Sequence, residues 1–105
     1  MYVRISRGKF NPAREPSVQQ IVEGELIPAM QGLPGFEQYV GGANRSLGTL
    51  CLVSFWDNEV HANFSRDVLQ KAITALSVIG VTLEPVEVYE VILDVQMKPA
   101  TLSHY

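Results

Sequence analysis

The sequence predicts an α+β domain in which one antiparallel sheet carries helices on one face. Three observations point to it. Residues 2–10, YVRISRGKF, alternate side to side as a half-buried strand does. Two later segments repeat their apolar residues at helical spacing. Between them, Leu50–Phe64, LCLVSFWDNEVHANF, runs as an apolar strand into a Trp and then into a helix cap, opening a second half that repeats strand, helix, strand.

The elements follow in order. In the first strand Val3 and Ile5 point one way, and Tyr2, Arg4 and Ser6 the other. Asn11–Pro16 reads as loop by its prolines. Ser17 and Gln20 fit a capping box for the first helix, whose buried face is Val18, Ile21, Val22, Leu26, Ala29, Met30 and Leu33. Pro28 removes an amide inside that helix and presses on the Gly24 carbonyl, which predicts a kink rather than a break. Gln31–Gly35 ends the helix, with glycine for a left-handed cap and Pro34 beyond it. Phe36–Val40 is the second strand, GGANRSLG the turn region, and Thr49–Trp56 the third strand. Asp57 is a suitable N-cap for the second helix, and Val60, Phe64, Val68, Leu69, Ala72, Ile73 and Leu76 its buried face. Ser65-Arg66-Asp67 is a place where that helix can divide, with Asp67 capping the second piece. Gly80 closes it. Leu83–Val95 alternates as the fourth strand, its start at an edge or bulge because of Pro85.

The order β-α-β-β-α-β is the ferredoxin-like arrangement. Leu50, Leu52, Val88 and Ile92 suggest apolar residues on both sheet faces. One helix layer covers only one of them, so a second subunit packing sheet on sheet is expected. The chain has 105 residues, enough for one domain, read as 1–95 with a tail at 96–105. Charged residues are 18% against 47% apolar, a low charge content that also fits a surface hidden in a partner. A net charge of −3 gives no footprint for nucleic acid. No apolar run is long enough for a membrane span, and no secretory leader is evident, so a cytoplasmic location is expected. Cys51, the lone cysteine, reads as a small buried hydrophobe. No His or Cys set has metal-ligand spacing.

Four pieces of the chain together resemble the antibiotic biosynthesis monooxygenase superfamily, the dimeric α+β barrels. They are IPAMQGLPGF, VSFWDNEVHANF, SRDVLQKAI and PVEVYEVIL, spread over residues 2–94 with their order and spacing kept. The resemblance implies a homodimer, a ligand cavity between sheet and helices, and, for the catalytic members, oxidation of polycyclic phenols or quinols with no cofactor. The superfamily's heme-degrading branch uses an Asn on the first strand and a Trp and a His on the second helix. Here Ser6 and Arg7, Phe64 and Thr74 stand at those places, so heme chemistry is not expected.

Five residues are candidates for a site. His61 is the only histidine before the tail and has the right chemistry for a general base; it reads equally as a helix histidine bonded to Asp57. Trp56, Phe64 and Tyr39 are pocket walls or core anchors. Arg4 either faces a dimer interface or stabilises a developing phenolate. Together they suggest a cofactor-independent monooxygenase acting on an aromatic or quinol-type molecule. The alternative is a non-enzymatic dimeric binding or structural module. A void beside Trp56 and Phe64 would separate the two readings.

Overall fold

The structure, a computed structural model, describes residues 1–95. The expected tail at 96–105 lies outside the described residues. Strand β1 (Tyr2–Lys9) is central. It pairs antiparallel with β3 (Thr49–Trp56) on one side, and with the short strands β4 (Thr82–Leu83) and β5 (Glu87–Glu90) on the other. Strand β2 (Phe36–Asn44) pairs with β3 at the far edge, completing a five-stranded sheet in the order expected of the ferredoxin-like arrangement.

Helices cover one face only. Helix α1 (Glu15–Ile21) leads through a π turn (Val22–Leu26) into α2 (Ile27–Gln31). This element starts earlier than the Ser17 capping box suggests. Asn11 accepts a bond from the Ala13 amide at 3.0 Å and opens a 3-10 turn at Pro12–Arg14, which runs straight into α1. Pro12 and Pro16 suit such a start because their missing amides would have been orphans. Pro28 leaves the helical run unbroken. The chain meets it with the π turn, in which the Ile27 amide bonds back to the Val22 carbonyl. Gly24 plays no steric part, since a Cβ there meets nothing within 4 Å.

The second helical region is divided, as Ser65-Arg66-Asp67 allows: α3 (Glu59–Ala62), a 3-10 turn (Arg66–Leu69) and α4 (Gln70–Val78). The caps are one or two residues away from those expected. Asn58, not Asp57, accepts from the His61 amide at 2.9 Å, and Ser65, not Asp67, caps the second piece. The break turns Val60 and Val68 out to solvent at 79% and 45% exposure, so they leave the predicted buried face. His61, Phe64 and Val68 therefore share no single helical strip.

Two further corrections concern the strands. Gly41 and Gly42 belong to β2 rather than to the turn, which is made by Arg45–Gly48 under an Asn44 carbonyl. The fourth strand is split at Glu84–Val86 around Pro85, and 91–95 lie outside it. Proline supplies no ladder donor, so the edge breaks there. Gly8 is required by contact: a Cβ would lie 2.5 Å from the Thr82 carbonyl where β4 crosses β1.

Alternation assigns the two sheet faces. Tyr2, Arg4, Ser6, Leu50, Leu52, Ser54, Trp56, Tyr39 and Val88 face the helices. Val3, Ile5, Val53, Phe55, Val40 and Tyr89 share the bare face. The two-faced character of the sheet is real, but Leu50, Leu52 and Val88 all belong to the covered side. Ile92 lies beyond β5.

Candidate active site

The space under the helices has two ends. At one end Trp56 is completely buried, between Phe36 (ring centroids 5.4 Å apart) and Phe64 (5.0 Å). Its indole N–H donates to Ser54 Oγ at 2.8 Å. Leu26, Met30, Ala62, Leu69 and Ala72 close around it. Trp56 is a core anchor with its polar handle satisfied. Neither Trp56 nor Phe64 lines any of the cavities found among the described residues. The one cavity near them is the small inner one described below, which Leu26, Met30, Ser54 and Leu69 line.

The other end is open. A cleft of about 520 Å³ runs between α1, the π turn and the β2–β3 hairpin. Val18, Val22, Ile27, Leu50 and Leu52 form its apolar walls, and Gly41 its floor. Gly41 shapes that floor by lacking a side chain on the helix-facing side, directly across from Leu52. Glu15 and Arg45 stand at the mouth, joined by a bidentate ion pair of 2.5 and 2.8 Å. The guanidinium holds the Glu15 carboxyl below the usual carboxylate range.

Tyr39 and Leu52 line both this cleft and a second, inner cavity of about 40 Å³. Most of the inner cavity's wall is apolar, with Leu26, Met30, Leu52, Leu69 and Ile73 among its lining; Arg4, Ser6, Tyr39, Ser54 and Arg66 supply the smaller polar part. Arg4 is 8% exposed. Its Nη1 donates to the carbonyls of Ala62 (2.9 Å) and Phe64 (3.2 Å), and its guanidinium lies 3.8 Å over the Phe64 ring. Burial, and then the neighbouring Arg66, push the Arg4 guanidinium down to about 10. The Tyr39 hydroxyl is buried with no hydrogen-bond partner among the described residues. Burial raises its pKa, so it stays a neutral donor.

The five sequence candidates therefore separate. Tyr39 and Arg4 meet at the cleft's inner end, on the helix side rather than the bare face. Phe64 backs Arg4, and Trp56 backs Phe64. His61 lines none of these cavities: its Nδ1 is 2.6 Å from Asp57 Oδ1 and 3.1 Å from Asn58 Nδ2, and a Cβ at Gly35 would overlap the His61 ring and the Asp57 carboxylate. Ser54, Arg66 and the cleft-lining face of α1 are additions. Strand alternation carries the signal for Ser54, which is opposite Arg4 on β3. Arg66 comes to the cavity only through the helix break. Among the described residues no group of three or more His, Cys, Asp or Glu converges as a metal site, and no helix is long and apolar enough to cross a membrane.

No protein-family model matches the chain, and no curated protein matches it. Solved structures do. A putative antibiotic biosynthesis monooxygenase from Deinococcus radiodurans superposes with a TM-score of 0.70 at 20% identity, covering 92% of this chain and 98% of that one. SnoaB, a cofactor-independent oxygenase from Streptomyces nogalater, does so at 0.60 and 17% identity over 93% and 96%. A monooxygenase from the gene ActVA-Orf6 of Streptomyces coelicolor, solved with the ligand nanaomycin D, reaches 0.65 and 15% over 93% and 91%. The chain thus has the fold of the antibiotic biosynthesis monooxygenases over nearly its full length.

Proposed function

We propose that this protein is a cofactor-independent monooxygenase of a flat aromatic or quinol-type molecule, which it binds in the cleft between α1 and the β2–β3 hairpin. The observation that carries the reading is the cleft itself: about 520 Å³ with apolar walls, sharing Tyr39 and Leu52 with the small inner cavity that Arg4 lines. That is the form of a small-molecule site. The fold shared with SnoaB, a cofactor-independent oxygenase, supports the same reaction class.

The chemistry asks little of the protein. An activated ring CH₂ or phenol loses a proton to solvent at the cleft mouth, a proton the peroxide anion later takes back, and the carbanion passes an electron to O2. The radical pair closes a C–O bond, and the peroxide loses water to leave a carbonyl. One oxygen atom ends in the product and the other in water, so no external reductant enters. The protein's part is to exclude water, hold the ring flat and stabilise the anion, with Arg4 as the cation at the inner end. We assign His61, together with Asp57, to securing the loop around Gly35 rather than to the reaction. His61→Ala then keeps its turnover.

Oxygen uptake against a panel of polycyclic phenols and quinols tests the reading. Stoichiometric O2 consumption with formation of the carbonyl product, in metal-chelated buffer, is the expected result. No uptake with any member, from protein that binds the same molecules, leaves the non-enzymatic binding module in its place.

The bare sheet face supports a homodimer. Val3, Ile5, Val53 and Phe55 form a contiguous apolar patch that no helix covers, with Val40 and Tyr89 about half exposed at its margin. Sedimentation of the wild type as a dimer and of Phe55→Glu as a folded monomer is expected; a monomeric wild type at all concentrations sinks the proposal. An unpaired thiol, Cys51, suits a reducing compartment such as the cytoplasm.

A further inference from the structure

We infer that the inner cavity is a binding site for one ionised oxygen group on an aromatic ligand, held between Arg4 and Arg66, so that the protein takes its ligand as an anion. The inference deepens the proposed function and rests on the same cleft.

The charge inventory is one-sided. A buried guanidinium ordinarily has a carboxylate beside it, because the desolvation of an isolated cation is costly. The other arginines with ion pairs show the usual arrangement: Arg7 pairs with Glu87 at 2.9 Å, and Arg45 with Glu15. Arg4 is the most buried of them and has no acidic partner among the described residues, nor has Arg66. Besides burial, the charged neighbour that shifts Arg4 is Arg66, a second cation. Two carbonyls and an aromatic face ease the burial of Arg4, but none of them supplies a negative charge.

The neutral groups around this pair are donors. Arg4 Nη1 is spent on two carbonyls, while Nε and Nη2 have no partner among the described residues. The Tyr39 hydroxyl is buried and unpaired. Ser54 already accepts from Trp56, which leaves its own proton to donate. An acceptor bearing negative charge suits this donor set, as a carboxylate suits a guanidinium fork. The size agrees. About 40 Å³ has room for an oxygen group or a water or two, not for a ring. The ring belongs in the apolar cleft on the outer side of Tyr39 and Leu52.

The anionic oxygen has two sources: a carboxylate substituent, or the ring's own acidic hydroxyl ionised on binding. Three probes differ only there: 2-naphthoate, 2-naphthol and the neutral 2-naphthalenemethanol. Calorimetric titration should show naphthoate binding at least tenfold tighter than naphthalenemethanol. Arg66→Gln, at an exposed position that folding does not depend on, should remove most of that preference, by weakening naphthoate far more than naphthalenemethanol. Arg45→Gln, at the mouth, should not alter the preference. Arg4→Gln should abolish it where the variant folds. A naphtholate absorption band at a pH where free naphthol is neutral assigns the ring hydroxyl as the anion; naphthoate selectivity without that band assigns a carboxylate. Equal affinities for naphthoate and naphthalenemethanol, no binding of naphthoate, or a preference that survives Arg66→Gln overturns the inference. Charge selectivity without oxygen uptake by any phenol overturns the proposed reaction and leaves the anion site standing. Oxygen uptake without charge selectivity does the reverse.

Discussion

The same helices lie over the same sheet at the Trp56 end and at the Tyr39 end, yet one end is solid and the other is open. At the Trp56 end large rings interlock, and the one buried polar atom of the indole is satisfied. At the Tyr39 end Gly41 contributes no side chain, and among the described residues the Tyr39 hydroxyl has no hydrogen-bond partner and Arg4 no acidic one. Stability comes from filled volume and paired polar groups. A binding site is where both rules are suspended. The contrast teaches that the most eye-catching aromatic residue in this chain marks the scaffold, while the proposed site rests on a glycine and on an arginine with no acidic partner among the described residues.

The sharpest way to break the contrast is to remove the anchor. Trp56→Ala should cost about 3–5 kcal/mol, the usual range for emptying a large buried aromatic position. A loss below about 1 kcal/mol in urea unfolding would mean that the Trp56 end is not the structural end. The second largest effect should come from the loop that seats this end. Gly35 has φ +82, and a Cβ there would overlap Asp57 and His61. Gly35→Ala should cost about 1–3 kcal/mol from the backbone conformation, plus a steric part. In a His61→Ala, Asp57→Ala background only the backbone part should remain. A cost unchanged by that background would show that the loop does not press on the pair.

The fold was legible because period and punctuation are local. Strand alternation at 2–10, helical spacing at 18–33 and the apolar run at 50–56 each report on a handful of neighbours, and the sheet order follows from them. The errors have local causes too. Asn58 and Ser65 outcompeted Asp57 and Asp67 as caps, and Pro12 moved the helix start ahead of Ser17. The proposed site was only half legible. Tyr39 and Arg4 were within reach because alternation aligns them on one face. The cleft was not, since it is made by an absence at Gly41, which in sequence reads as a turn. Arg66 reaches the cavity only because the second helix divides at 63–65, and His61 drew attention for its chemistry although its geometry ties it to Asp57.

Gly41 also offers a variant that should act on function with little effect on stability. A Cβ at this position meets Leu52 and Tyr39 at ordinary contact distances of 3.6 and 3.8 Å, and the backbone is not in the left-handed region. Gly41→Phe should therefore be folded to within about 0.5 kcal/mol of wild type while its ring fills the cleft. Binding of naphthoate, and any oxygen uptake, should fall at least tenfold. Unchanged binding in a folded variant would mean that ligands do not enter between α1 and β2.

The smallest effect belongs to the mouth. Glu15 and Arg45 join α1 to the hairpin across an exposed gap, where screening by water and salt leaves an ion pair little net worth. Its sign is nevertheless fixed. The Glu15 carboxyl is held below its unfolded value by Arg45, so the pair's contribution is present above the unfolded carboxylate range and is lost as pH falls through the lowered folded value. Wild type and Glu15→Gln should thus differ slightly in Tm at neutral pH and converge in acid, and added salt should shrink the difference. A gap that widens on acidification would contradict the pairing. Convergence in stability, combined with faster ligand association by Glu15→Gln at neutral pH, would mark the pair as a restraint on entry to the cleft. In that case even the weakest contact at the open end would serve access to the site, in contrast to the contacts around Trp56, which serve the fold.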